Sequence, residues 1–415
     1  MRVTAASAAR PFLLLAVFAS TWTGVLIGGL QIVDIALLVA TALVGLDAVT
    51  GGRGFRIPWW IAIGTASVVL VAVLHVALPT GIEYYATRAV VASSAVDAMD
   101  GTPGSLLIAT RWIIAMAVLP IVAAYLAQTR PAVVRQMAIA FVAGVSVSAI
   151  VALSDWAGLS NVSTTLLGSA SWTGRESGLA SHQNNLGFAC SLAVPLAVYV
   201  FRYARVLSVL ALVFATAGAV VSGSRGAQVG VAVAFLASTL LLQTGRKAVV
   251  WGAVLAALSL VLVNVLFPGY LTSSVGLFRF DGASSAASDT ERTIIQRQGW
   301  QDFAMSPFDG VGFPVITNAH SVPIQLLAAG GLILLIGFAL YIVGAIGSGI
   351  KRRDVMERIS VPATICVVLW MAQGVVQNQL VDRYLYVPIA IIACVEVLAR
   401  VKAPKHSRAP ARSHQ

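Results

Sequence analysis

Apolar runs of 18 or more residues recur along most of this chain. Lipid offers no partner for backbone N–H and C=O groups, so a crossing segment must be a helix or part of a closed barrel. A helix needs about 20 apolar residues to span the hydrocarbon, and a barrel strand about 10 of alternating character. These runs are too long and too uniformly apolar for barrel strands. They predict an all-α integral membrane protein of about 12 transmembrane helices, over 11–28, 31–48, 57–79, 105–128, 132–153, 184–201, 204–221, 226–243, 247–267, 320–347, 359–378 and 383–400. Only 10% of the residues are charged, against about a quarter in soluble domains. The first 20 residues resemble a signal peptide. They lack a convincing cleavage site and lead into more apolar sequence, so they read as the first span. No internal repeat is evident, and residues 1–415 read as a single polytopic membrane domain.

Charge sets the expected topology. A net charge of +11 invites a nucleic-acid reading, but its distribution fits the positive-inside rule better. With the N-terminus inside, 19 of the 27 Lys and Arg residues fall on cytoplasmic segments. The other 8 are outside: Arg88, Arg111, Arg175, Arg225, Arg279, Arg292, Arg297 and Arg383. This predicts a cell-membrane protein with both termini cytoplasmic, membrane lipids as partners and no nucleic acid. Residues 401–415 form a basic tail, expected to be disordered near anionic headgroups. The long outer segments are 80–104, 154–183 and 268–319. Within 268–319, the large extracytoplasmic loop, Ile294, Ile295, Trp300 and Phe303 recur at helical spacing with Arg292 and Arg297 between them. That pattern predicts an amphipathic surface helix.

The chemistry gathers where even-numbered spans begin on the outer side. Val220–Gly226 reads Val-Val-Ser-Gly-Ser-Arg-Gly and places Arg225 at the start of the eighth span, where nothing obvious matches its charge. A helix N-terminus presents free N–H groups and a positive dipole end, so a cation there is unfavourable until an anion arrives. The alternative is an arginine snorkelling to headgroups. His320 opens the tenth span. The same dipole pushes its pKa down, which leaves it neutral and able to take a proton; a hydrogen-bonded structural histidine is the other reading. Arg175, Glu176 and His182 precede the sixth span. Arg111, within the fourth, is a functional candidate by its depth, with Asp97 or Asp100 as partner. Asp382 and Arg383 are expected to pair with each other. Asp34 is a proton-relay carboxylate or an arginine's partner. His75 reads as structural, Trp59–Trp60 as an interfacial belt, and Cys190, Cys366 and Cys394 as small core residues. The sequence has no nucleotide-binding loop and no metal-ligand cluster. No cofactor and no metal is expected, so a donor would arrive already activated.

At these residues the sequence resembles the O-antigen ligase/polymerase family of bacterial membrane glycosyltransferases, across roughly Gly174–Gly331. Arg175-Glu-Ser-Gly…His182-Gln-Asn184-Asn185-Leu-Gly187 is similar to the family's arginine–glycine–asparagine segment. Ser222-Gly-Ser224-Arg225-Gly-Ala227 is similar to its Ser-x-Ser-Arg motif. Arg292…Trp300…Pro307-Phe-Asp-Gly310-Val-Gly312-Phe…Ala319-His320-Ser…Gln325-Leu-Leu…Gly330-Gly331-Leu resembles its large outer loop, with Ser321 where members often have Asn. The resemblance implies a GT-C-like fold and a metal-independent, inverting transfer of a glycan from a polyprenyl diphosphate to a hydroxyl acceptor on a glycan, lipid or protein. His320, Arg225 and Arg175 would be catalytic. Ser222, Ser224, His182, Asn184, Asn185, Arg292, Arg297 and Arg111 would bind substrate. A polysaccharide polymerase of the same family fits equally. A transporter or flippase fits the span count, but its polar groups are expected at mid-membrane and not at helix mouths.

Overall fold

A computed structural model describes residues 4–51, 54–86, 88, 102–167, 174–242, 247, 250–254, 257, 261, 283–316 and 319–402. The helices are α1 (Ala5–Ala19), α2 (Ile32–Gly51), α3 (Trp59–Ala77), α4 (Ile82–Ala86), α5 (Thr102–Ile113), α6 (Leu119–Thr129), α7 (Ala132–Trp156), α8 (Val162–Leu167), α9 (Gln183–Val200), α10 (Arg205–Val221), α11 (Arg225–Leu241), α12 (Ala283–Met305), α13 (Val322–Lys351), α14 (Ser360–Gly374) and α15 (Val387–Lys402). Among the described residues, 6 helical stretches are long and apolar enough to cross a membrane, and α1, α10, α11 and α14 are shorter apolar helices. The chain is therefore a multi-pass, mostly helical membrane protein. The expected ninth span, 247–267, and the tail from 403 lie largely or wholly outside the described residues.

The first span starts earlier than expected, at Ala5 instead of residue 11. Thr4 caps it by accepting the Ser7 N–H at 3.3 Å. It stops at Ala19 because the chain then turns into a hairpin of β1 (Leu26–Ile27) on β2 (Leu30–Gln31). Gly28 and Gly29 make the turn at φ 59° and 81°, the two-residue geometry that suits strand twist.

Aromatic side chains satisfy the bundle's internal polar groups. A π-turn at Ile114–Val118 joins α5 to α6. Pro120 has no N–H, which frees the Met116 carbonyl four residues before it. Tyr341 Oη on α13 donates to that oxygen at 2.7 Å. Trp60 is fully buried and donates to Glu396 at 2.9 Å, so only Trp59, 52% exposed, fits the expected interfacial belt.

Arg383 does not pair with Asp382. Its Nε and Nη2 donate to the two Asp34 carboxylate oxygens at 2.9 and 3.0 Å. The turn Arg383–Tyr386 carries the guanidinium to the first turn of α2, where fork meets carboxylate. Of the two readings of Asp34, the ion pair is the one formed.

Residues from two of the long polar segments, 80–104 and 268–319, meet around α12. Asp302 is fully buried and accepts Arg88 Nε at 3.0 Å, Arg88 Nη2 at 2.7 Å and Tyr84 Oη at 2.8 Å. His75, structural as expected, contacts the Asp309 carbonyl through Nε2 at 2.9 Å. The chain beyond α12 then runs against a break in α13. Gly331 there has φ 58° and ψ −152°. Val311 and Gly312 N–H groups donate to the Ala328 and Ala329 carbonyls at 2.8 and 3.1 Å. In return, Leu332 and Ile333 N–H groups donate to the Pro307 and Phe308 carbonyls at 2.9 and 3.1 Å. A broken helix in a membrane protein needs such replacement partners. The crossing leaves no room for side chains: a Cβ on Gly310 would stand 2.3 Å from Gly330 N, and one on Gly331 would stand 2.3 Å from the Phe308 carbonyl carbon.

Candidate active site

Three helix N-termini converge at one end of the bundle: those of α9, α11 and the half-helix Val322–Gly330. The turn between α10 and α11 is the hub. Ser222 ends α10; its hydroxyl donates to the Ala219 carbonyl at 2.8 Å and accepts the Ser224 N–H at 3.3 Å. Gly223 reverses the chain at φ 59°, a conformation other residues reach only with strain. Ser224 then caps α11, accepting the Ala227 N–H at 3.4 Å. Both serine hydroxyls thus serve the turn. Gly187 of α9 packs against this hub, since a Cβ on it would lie 2.6 Å from both Ala227 Cβ and Ser222 Oγ.

Arg175 lies across the turn. Its Nε donates to the Ser222 carbonyl at 2.9 Å and its Nη2 to Asn184 Oδ1 at 3.0 Å. The neighbouring Glu176 is buried, and its N–H bridges to the Val221 carbonyl at 3.0 Å. Its carboxyl is pushed up by burial and by the Asp155 charge.

His182 caps α9, its Nδ1 accepting the Asn184 N–H at 3.1 Å. That bond places the neutral ring's proton on Nε2 and makes Nε2 a donor. Loss of hydration, then the Arg175 charge and the nearby His320 ring, push the ring's pKa down to about 4. His320 lies just before α13. Burial lowers its pKa first and the Arg292 charge second, with Glu291 opposing. Both rings are therefore neutral near pH 7. Asn184 bonds both Arg175 and His182, and Gln296 of α12, one turn after Arg292, donates to the His320 carbonyl at 3.4 Å.

Arg225 has a partner that the sequence reading missed. Its Nη2 meets Asp289 Oδ1 of α12 at 2.9 Å, and Arg292 Nη1 lies 3.8 Å from the same oxygen. The pair is partly exposed, at 31% and 54% of the side-chain surfaces. Such pairs contribute about 0–1 kcal/mol, so a more highly charged anion can displace the carboxylate. Arg297 is exposed on α12, with no ion pair among the described residues. Arg111 is exposed on α5, and its expected partners Asp97 and Asp100 lie outside the described residues.

A second missed element is the linker between α14 and α15. Gln379 Nε2 donates to Asn185 Oδ1 at 3.1 Å, and Gln325 Nε2 donates to the Asn378 carbonyl at 3.2 Å. Gln377 lies against Gly226, where a Cβ would stand 2.3 Å from its Nε2. The signal was available: four amides fall within Gln373–Gln379, at the end of an apolar run.

Residues 210–339 match the family model described as O-antigen ligase, just under a third of the chain. The matched stretch contains Arg225, Arg292 and His320; Arg175 and His182 precede it. A search of curated proteins finds no match. The matched family points to ligase- or polymerase-like work in cell-surface polysaccharide assembly. Over residues 210–339, this membrane protein is similar to the O-antigen ligase family.

Proposed function

We propose that the protein transfers a glycan from a polyprenyl diphosphate to an acceptor hydroxyl at the outer face of the cytoplasmic membrane. The observation that carries this reading is the grouping of Arg175, Arg225 and Arg292 with two neutral histidines around three helix N-termini. Guanidinium forks and helix N-termini are suited to phosphate oxygens. Arg225 and Arg292 already share the carboxylate of Asp289, and a diphosphate would take that carboxylate's place.

The chemistry follows from where charge develops. As the sugar C1–O bond breaks, negative charge grows on the leaving diphosphate, and the arginines stabilise it there. His320, neutral and half-buried, accepts the proton of the attacking hydroxyl. His182 donates from Nε2 to a phosphate or sugar oxygen. Attack from the face opposite the diphosphate inverts the anomeric centre. No step in this scheme needs a metal. A ligase and a polymerase share every step and differ only in the acceptor.

The test uses purified protein in liposomes with a radiolabelled polyprenyl-diphosphate glycan. Release of polyprenyl diphosphate when a hydroxyl acceptor is added supports transfer. Movement of the intact lipid across the bilayer without bond cleavage would instead identify a transporter.

A further inference from the structure

The linker between α14 and α15 and the first turn of α13 beside it carry acceptor groups that the diphosphate reading leaves unused. Gln325 is fully buried and Gln379 is 3% exposed. Each commits its Nε2 to the protein, as described above. Their carbonyl oxygens, Gln325 Oε1 and Gln379 Oε1, have no hydrogen-bond partner among the described residues. Buried acceptors are nearly always paired, so two unpaired ones, on side chains joined through the Gln325–Asn378 hydrogen bond, point to an absent donor. The donor is neither a phosphate nor a carboxylate, which bring only further acceptors at neutral pH. Hydroxyl groups fit, and a sugar ring presents several.

Position says which sugar. Asn185, the partner of Gln379, follows Asn184, which holds Arg175. Gln377, two residues before Gln379, lies against Gly226, which follows Arg225. Gln325 is in the first turn of α13, five residues after His320. The two unpaired oxygens therefore belong to segments that hold, or directly follow, the residues around the arginines and the histidine.

We propose that Gln325 and Gln379 form a subsite for the hydroxyls of the donor sugar attached directly to the diphosphate. This rests on the diphosphate reading above. Gln373 serves as an internal control. Its Oε1 is also unpaired, but it donates to Ser191 at 2.9 Å and packs against Gly230, deeper along α9 and α11. It belongs to the helix interface and not to the subsite.

The experiment measures binding to the full-length protein in nanodiscs. The probes are undecaprenyl diphosphate, bare or carrying a single glucose, galactose or mannose. At least one sugar-bearing probe should bind the wild-type protein about fivefold or more tightly than the bare carrier, the value of one or two hydrogen bonds. In Gln325→Leu and Gln379→Leu that preference should disappear while bare-carrier affinity stays the same. Gln379→Met repeats the test with a flexible side chain. Gln373→Leu should keep the preference. Failure of the wild-type protein to bind bare carrier would overturn the diphosphate reading itself. Binding of bare carrier with no preference for any sugar would overturn this subsite alone. So would a preference that survives in the Gln325 and Gln379 variants, or one lost equally in Gln373→Leu. Suppression of the preference by a free oligosaccharide, with bare-carrier binding unaffected, would reassign the subsite to the acceptor and contradict the proposal.

Discussion

Arg175 rests on Gly223: a β-carbon at position 223 would stand 2.8 Å from Arg175 Nε and 2.9 Å from its Cγ. The same glycine turns the chain at φ 59°. Gly223→Ala therefore adds strain of about 1–2 kcal/mol and pushes the guanidinium off the Ser222 carbonyl. Transfer should fall about tenfold or more, since misplacing a positioning group by about 1 Å can cost a hundredfold. Membrane insertion should be retained. Assays of transfer beside chromatographic profiles of the variant separate the two effects.

Asp289 occupies Arg225 only weakly. Asp289→Asn removes a competitor for the anion at a cost of about 0–1 kcal/mol in folding. Donor affinity should rise by up to about fivefold at low salt and converge with wild type at high salt. A drop in affinity would show instead that Asp289 holds Arg225 in place.

The buried Arg88–Asp302 pair, 2% and 1% exposed, fastens the loop helix. Removing one partner strands the other charge and costs about 3–5 kcal/mol. Asp302→Ala should lower Tm, expose the loop to protease and reduce transfer, although Asp302 reaches no reacting atom. Arg88→Met combined with Asp302→Leu should recover part of the stability. Limited proteolysis and thermal melts check this.

The pH profile tests the histidines. His320 is lowered from the ordinary histidine value by burial and by Arg292, and His182 is pushed down to about 4. A group with a depressed pKa stays neutral down to that lowered value. Transfer should therefore be flat from pH 8 down past the ordinary value of about 6.5 and fall only at lower pH. Arg292→Gln removes one lowering charge and should move the fall in activity to higher pH. A profile that halves at the ordinary value in the wild-type protein would contradict the assigned environment.

Much of the scaffold could be read from the chain because lipid leaves few options for long apolar runs. The three segments that the fold brings together were also visible in the chain, since Arg225 and His320 stand at the start of such runs and Arg175 shortly before one. What escaped was long-range pairing. A lone acid such as Asp289 in a long polar loop carries no mark of its partner at Arg225. Arg383 chose Asp34 over adjacent Asp382 because side-chain direction, not sequence distance, decides a buried pair. The serines at 222 and 224 looked available to a ligand, whereas the tight turn uses both hydroxyls. The glycines Gly310 and Gly331 stood out in the loop motif, but their reason, a backbone crossing at a broken helix, needs the fold.

The most direct test compares donor binding and glycan transfer in Arg225→Ala and His320→Ala, both purified in the inserted, folded state. Arg225→Ala should lose donor binding and transfer together. His320→Ala should bind bare undecaprenyl diphosphate as the wild-type protein does and yet transfer at least about a hundredfold more slowly, the scale of general-base catalysis. Full transfer by either variant would contradict the assignment of this site.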